Sequence, residues 1–165
     1  VFFACHSDQA LKLIEKPSLL ETQILSAIPY VKNTIDLHTD SSILPKQKKA
    51  WASWIVNKYP ENESVKNQCT VNYYMNVLQN IDCPEPLIVS LNQSERIADD
   101  KKLKTVYYQH PVYTTDTIKA QARKPAIQGK NNSYFCGAYW GWGFHEDGAR
   151  SAVEAVAQFK NEVLT

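Results

Sequence analysis

The stretch Tyr134-Phe-Cys-Gly-Ala-Tyr-Trp-Gly-Trp-Gly-Phe-His-Glu-Asp-Gly-Ala149 holds the best prospects for chemistry in this chain. An apolar, strand-like run leads into glycines at 137, 141, 143 and 148, and these open onto a long helix-periodic segment. The first turn of a helix has N–H groups without intrahelical acceptors and a partial positive charge. Such a terminus suits a phosphate, a carboxylate or an electron-rich carbonyl. Gly141, Gly143 and Gly148 would let a flat ligand come close to the backbone. Tyr139, Trp140 and Trp142 flank the glycines and read two ways, as a wall for a bound ring or as packing beside the helix. His145 is either a donor to a ligand or an exposed first-turn residue. The pattern equally fits a helix with an ordinary glycine-rich entry, with Glu146 and Asp147 as favourable first-turn acids.

Other reactive side chains are scattered. Cys5, Cys69, Cys83 and Cys136 form no C-x-x-C pair, and none stands at zinc-finger spacing from His6, His38, His110 or His145. No metal site is expected. Buried, reduced thiols are expected instead, which suits a cytoplasmic location. A Cys-His hydrolase built on Cys5 or Cys136 has little behind it. His110, before Pro111, reads as a turn-shaping residue or as a base. The first glycine is Gly129, so residues 1–128 hold neither a Walker A loop nor a G-x-G-x-x-G fingerprint. No catalytic residue stands out.

These groups must be positioned by a particular run of elements. Val1–Cys5 reads as a short buried strand. A chain that starts inside such a run is expected of a segment excised from a longer protein. Ser7 or Asp8 caps a first helix that Pro17 stops, and Ser18 with Glu21 makes a capping box for a second, ended by Pro29. Strands are expected at Tyr30–Thr39, Ala50–Val56, Gln68–Met75, Leu87–Leu91 and Lys104–Gln109. In the first, Val31, Asn33, Ile35, Leu37 and Thr39 share one side, and Tyr30, Lys32, Thr34, Asp36 and His38 the other; one face should be buried. Trp51 and Trp54 should point to opposite faces. A polar turn at Lys58–Ser64 and a helical turn at Asn76–Asn80 complete this part. A short helix at Asp116–Arg123, a strand at Ser133–Tyr139 and a helix at Glu146–Leu164 close the chain. The inner stripe of that helix is expected at Ala149, Ala152, Val153, Val156, Phe159 and Val163. The fold class is α+β: a mixed, largely antiparallel sheet with helices on one face, plus a C-terminal strand–turn–helix.

Composition excludes several classes. Lys+Arg number 18 against 17 Asp+Glu, a net charge of +1, so no basic excess points to nucleic acid. No apolar run approaches the ~20 residues of a membrane span.

The string F-C-G-A-Y-W-G-W-G-F-H-E-D-G-A-R-S-A resembles the C-terminal flavin-contacting motif of FAD-dependent amine oxidase-type oxidoreductases. More narrowly it resembles a bacterial group of NAD/FAD-binding amine oxidoreductases. V-F-F-A-C-H-S-D-Q-A-L at the start, L-H-T-D at 37–40, A-W-A-S-W at 50–54, Q-H-P-V-Y-T at 109–114 and A-Q-A-R at 120–123 add to the likeness. The wider pattern is G-[ED]-x…G-[YF]-x-E-G-A-x-x-S-G. Gly137 matches its first glycine, Gly143-Phe144 the G-[YF] pair, Glu146 the acid and Ser151 the serine. Ala138 stands where Glu or Asp is usual, and Asp147-Gly148 where Gly-Ala is usual.

The resemblance implies that 1–6 and 131–165 belong to an FAD-binding domain and 7–130 to a substrate-binding domain. It implies cofactor contacts from Gly137, Ala138, Gly143, Phe144, His145 and Gly148, with the amides near Phe144 and His145 at the pyrimidine end of the flavin ring and Gly137 near the ribityl chain. Tyr139, Trp140 and Trp142 would line the substrate. The expected activity is hydride transfer from a small-molecule substrate to FAD. FAD would not be held tightly by this chain alone, whose partner would be the N-terminal FAD-binding portion of the same protein. A homo-oligomer is compatible with this. The alternative is a non-catalytic substrate-binding or interaction domain.

Overall fold

The computed structural model describes residues 1–58 and 70–163, leaving aside the side chain of Val163. The expected turn at Lys58–Ser64 and Cys69 fall almost wholly outside the described residues. The chain forms two compact units, 1–31 with 110–165, and 32–109. These limits differ from the expected domain boundaries at 6/7 and 130/131, because the first two helices and the one at 115–122 pack with the terminal strands.

In the first unit, β1 (Phe2–Phe3) pairs in parallel with β7 (Tyr134–Phe135), with Phe2 opposite Tyr134 and Phe3 opposite Phe135. Both strands are shorter than their apolar runs. The Gly137 amide leaves the ladder to donate to Ser151 Oγ at 2.8 Å, and Ala138–Trp140 wind into a 3₁₀ turn. Phe2 is 42% exposed, so the first strand is not the buried strand its composition suggests. Alternation sends the two faces of this small ladder to different cores. Phe3 and Phe135 face Ala10, Ile24, Leu25, Ala120 and Ile127, which come from α1 (Ser7–Leu13), α2 (Leu19–Ser26), α4 (Thr115–Ala122) and the turn after it. Tyr134 and Cys136 face Ala152, Ala155 and Phe159 of α5 (His145–Val163). A parallel ladder covered by helices on both faces is the usual environment of parallel strands.

The caps follow the chain's chemistry. Ser18 accepts the Glu21 N–H at 3.2 Å while Glu21 Oε2 accepts the Ser18 N–H at 2.7 Å, the expected capping box. His6, rather than Ser7 or Asp8, precedes the first helical residue, and Gln9 Oε1 accepts its N–H. In α5 the buried positions are Asp147, Ser151 and Ala155, with Ala152 and Phe159 partly buried. Val153 and Val156 of the expected stripe point outward, at 69% and 42% exposure. The small side chains win the inner face because they let α5 approach the two-stranded ladder closely.

The second unit carries the five-stranded sheet, in order β3 (Trp54–Val56), β4 (Val71–Tyr74), β5 (Ile88–Leu91), β2 (Tyr30–His38) and β6 (Lys102–Pro111), with α3 (Met75–Leu78) between β4 and β5. The β3–β4, β4–β5 and β5–β2 pairs are antiparallel. The expected strand from Ala50 shrinks to three residues. Trp51 is instead held in a turn by its own N–H to Lys48 O at 3.0 Å and its Nε1–H to Pro45 O at 2.8 Å.

Register shows which face is which. Asp36, Ser90 and Asn72 lie side by side across three strands, and all are fully buried. On the other face Leu37, Val89, Tyr73 and Trp54 form one row. Ile35 faces Leu91, and Val71 faces Val56, in a parallel second row. These apolar residues are partly to largely exposed, Trp54 at 58% and Val56 at 71%. The alternation of β2 is therefore real, but its polar side is the buried one.

Candidate functional site

The glycine loop 137–144 joins the end of β7 to α5, and three side chains from flanking elements fix its shape. From α4, Gln121 Nε2 donates to Tyr139 O at 2.9 Å and Gly141 O at 2.7 Å. From α5, Ser151 Oγ accepts the Gly137 N–H. Asp147 Oδ2 accepts the N–H groups of Trp142 and Phe144, at 2.9 and 3.1 Å, and its other oxygen pairs with Arg150. Burial would raise the Asp147 carboxyl, but those two amides and Arg150 outweigh it and hold it below the usual carboxylate range.

Each expected contact residue has a definite place. The glycines serve the protein's own side chains. A Cβ on Gly137 would stand 2.5 Å from the Tyr139 ring, one on Gly141 would meet the Asp147 carboxyl, and one on Gly143 would stand 2.7 Å from Tyr113 Oη. Gly143 also has φ +89°, which favours glycine on backbone grounds. Only beside Gly148 is the space uncrowded, with Ala138 atoms at 3.7 Å and beyond. Tyr139 is buried and contacts Trp140, which packs on the helical core. Trp142 is 64% exposed, its ring centroid 5.6 Å from that of Tyr113. Phe144, His145 and Glu146 are exposed. The Phe144 amide is already taken by Asp147. By helix geometry it is the amides of His145 and Glu146 that lack an intrahelical acceptor at an open tip.

Several residues near this loop carried no clear signal in the sequence. Tyr113 Oη is buried without a hydrogen-bond partner. Burial pushes the Tyr113 phenol up to about 12, with Asp147 and Tyr30 adding to it. Tyr30 stacks on His6 at 4.5 Å and accepts the Ser7 N–H at 3.0 Å. Ligands of parallel sheets bind beyond the carboxyl ends of the strands. His6, Ser7 and the glycine loop follow those ends. The A-Q-A-R and Q-H-P-V-Y-T strings contained the relevant residues, Gln121 and Tyr113, but their partners are far away in sequence.

The buried face of the five-stranded sheet looks at first like a Ser–His site. His38 Nε2 is 2.7 Å from Ser90 Oγ. The Asp40 N–H, however, donates to His38 Nδ1 at 3.1 Å. A neutral His38 must then carry its proton on Nε2 and donate it to Ser90, whose hydroxyl passes on to Asn72 Oδ1 at 2.6 Å. Ser90 therefore faces a donor, not a base. Burial lowers the His38 pKa, with Asp40 and Asp36 opposing, which keeps the ring neutral. Burial pushes the Cys136 thiol up, away from nucleophilic character. Among the described residues no group of three metal-ligating side chains occurs, and no helix is long and apolar enough to cross a membrane.

The open tip of α5 and the exposed face of Trp142 suit an acceptor-rich planar ring. Asp147 sets a limit on that fit, since its carboxylate already offsets part of the positive helix end. No protein-family model matches the chain, and no curated protein matches it either. Among solved structures it is similar to a protein described as "Putative protoporphyrinogen oxidase from Exiguobacterium sp. 255-15", with 11% identity and a TM-score of 0.57 over 98% of this chain. The chain spans 41% of the length of that protein, whose fold over this portion it shares.

Proposed function

We propose that this chain is the C-terminal part of a flavin-dependent oxidoreductase of the amine oxidase type. The observation that supports it most is the braced glycine loop that leads from a parallel strand pair to the open tip of a 19-residue helix. In this reading the amides of His145 and Glu146 hold the pyrimidine end of the flavin ring, and Gly148, the uncrowded glycine of the loop, lies along the cofactor. FAD, when bound, supplies the acceptor for a hydride from a C–N or C–C bond of the substrate. Trp142 offers an exposed aromatic face for substrate. Asp147 keeps the loop in shape, and its charge opposes accumulation of negative charge beside the tip. The N-terminal FAD-binding portion is the expected partner, because residues 1–128 lack the glycine fingerprint that holds a pyrophosphate.

The test is the protein expressed from its full reading frame. A yellow product with one flavin per chain, bleached anaerobically by a hydride donor, is the expected result. A colourless product that takes up no FAD would overturn the reading.

A further inference from the structure

We propose that His38 is a proton-operated latch: when its ring takes a second proton, the turn that starts at Asp40 lets go of the sheet. This device is independent of the flavin reading. His38 ends β2 and is fully buried. Its Nδ1 accepts the Asp40 N–H at 3.1 Å, and its Nε2 lies 2.7 Å from Ser90 Oγ. The neutral ring serves both neighbours, with one nitrogen as acceptor and the other as donor. An imidazolium has two donors and no acceptor. Nε2 keeps its bond to Ser90, but Nδ1–H then faces the Asp40 N–H, donor against donor, in a buried place.

The charges around the ring decide where that strain goes. Asp40 and Asp36 favour the protonated ring, and Lys102 at the start of β6 opposes it. Ser90 of β5 and Asn72 of β4, which continue the hydrogen-bond chain, are neutral. Asp36 lies in the middle of β2 and is tied down by the hydroxyls of Ser94 and Thr105. Asp40 lies in the turn. Its carboxylate accepts the N–H groups of Ser42 and Ala98, each at 3.0 Å, and pairs with Lys101 at 3.6 Å. Its pKa is about 2, so it is ionised wherever a histidine titrates. Turning that carboxylate toward the imidazolium satisfies Nδ1–H and takes it off the Ser42 and Ala98 amides. The turn thus has two arrangements, and one proton biases the choice between them.

The far end of the turn is held without the ring. Asn57 Nδ2 donates to Ile43 O at 3.0 Å, and the Trp51 indole N–H donates to Pro45 O at 2.8 Å. Leu44 packs with Ile55 and Ile88. The movement is therefore a hinge confined to Asp40–Ser42 and the facing Ala98, and the Trp51 indole marks the part that stays in place.

NMR of the full chain from pH 8 to pH 5 follows the His38 ring, the amides of Asp40, Ser42 and Ala98, and the Trp51 indole N–H. The ring should titrate below pH 6.5, and the three amides should shift with the same midpoint while the indole stays put. His38→Gln should abolish the amide transition; the other histidines, His6, His110 and His145, lie in the first unit. If His38→Gln fails to fold, Lys102→Gln carries the test. Loss of that opposing cation should raise the midpoints of ring and amides together. Amides that stay still while the ring titrates would overturn the proposal, as would a ring that stays neutral until the whole chain unfolds. So would an amide transition that survives in His38→Gln, midpoints that part in Lys102→Gln, or an indole that shifts with the amides. None of these results bears on flavin binding.

Discussion

Gly143 condenses the residue-scale argument. Its φ of +89° is awkward for any side chain, and Tyr113 Oη occupies the space a Cβ would need. Gly143→Ala should cost about 1–3 kcal/mol in urea unfolding. Tyr113→Phe alone should be neutral or stabilising by roughly 1 kcal/mol, because it removes a buried hydroxyl with no partner. In the Tyr113→Phe background part of the Gly143→Ala cost should vanish; equal costs in both backgrounds would refute the contact. Asp147 is the second case. Asp147→Ala should leave the global fold intact while amide exchange at Trp142 and Phe144 speeds up about tenfold, since each loses its acceptor. Unchanged exchange there would mean that something other than the carboxylate holds the loop.

Two buried groups give pH a role at this scale. His38 has its pKa lowered in the folded state, so the unfolded chain takes up its proton first as pH falls. Its stabilising contribution is complete above the ordinary histidine value near 6.5 and declines as pH drops below it toward the folded value. Asp40 behaves likewise at lower pH. Burial would raise it, but hydrogen bonds from Ala98 and Ser42 and the charge of Lys101 bring it from 3.8 to about 2. Its contribution, about 2 kcal/mol, is present above pH 3.8 and lost as pH falls toward 2. Unfolding free energies measured from pH 8 to pH 2.5 should therefore fall in two stages. His38→Gln should remove the upper stage alone.

Among the elements, α5 makes the clearest claim. Its buried line is Asp147, Ser151 and Ala155, not the valines. Ala155→Leu should overpack the contact with Tyr134 and Cys136 and cost about 1–3 kcal/mol, whereas Val153→Ser should change stability by less than about 0.5 kcal/mol. The reverse order of the two effects would mean that the helix is rotated from the orientation described. Sequence periodicity could not choose between these faces, because small and β-branched residues follow the same 3.6-residue spacing on adjacent stripes. The choice rests on how close α5 must come to the two-stranded ladder. The capping box at Ser18, by contrast, was fully legible, since both partners lie within four residues of each other. Short-range hydrogen bonds of this kind need no tertiary information.

For the molecule as a whole, the first unit is the place where the flavin reading can be separated from that of a self-sufficient binding domain. A two-residue parallel ladder is a slender base for a 19-residue helix, and Phe2, Val153 and Val156 remain exposed. Hydrogen exchange in 134–163 that is fast in the isolated chain and slow in the full-length protein would favour an assembly completed by another segment. Full protection in the isolated chain would favour a self-contained domain.

Local chemistry in the sequence determined most of the strand and helix inventory, the helix cap at Ser18, the glycine loop before the last helix, and the absence of a phosphate-cradling glycine motif from residues 1–128. Each depends on residues a few positions apart. Only the tertiary structure decided that the polar side of β2 is buried, and that Gln121, Asp147 and Tyr113 occupy the space and bonds of the glycine loop. Most of those depend on pairs tens of positions apart, where alternation and period specify that a face exists but not what will be packed against it.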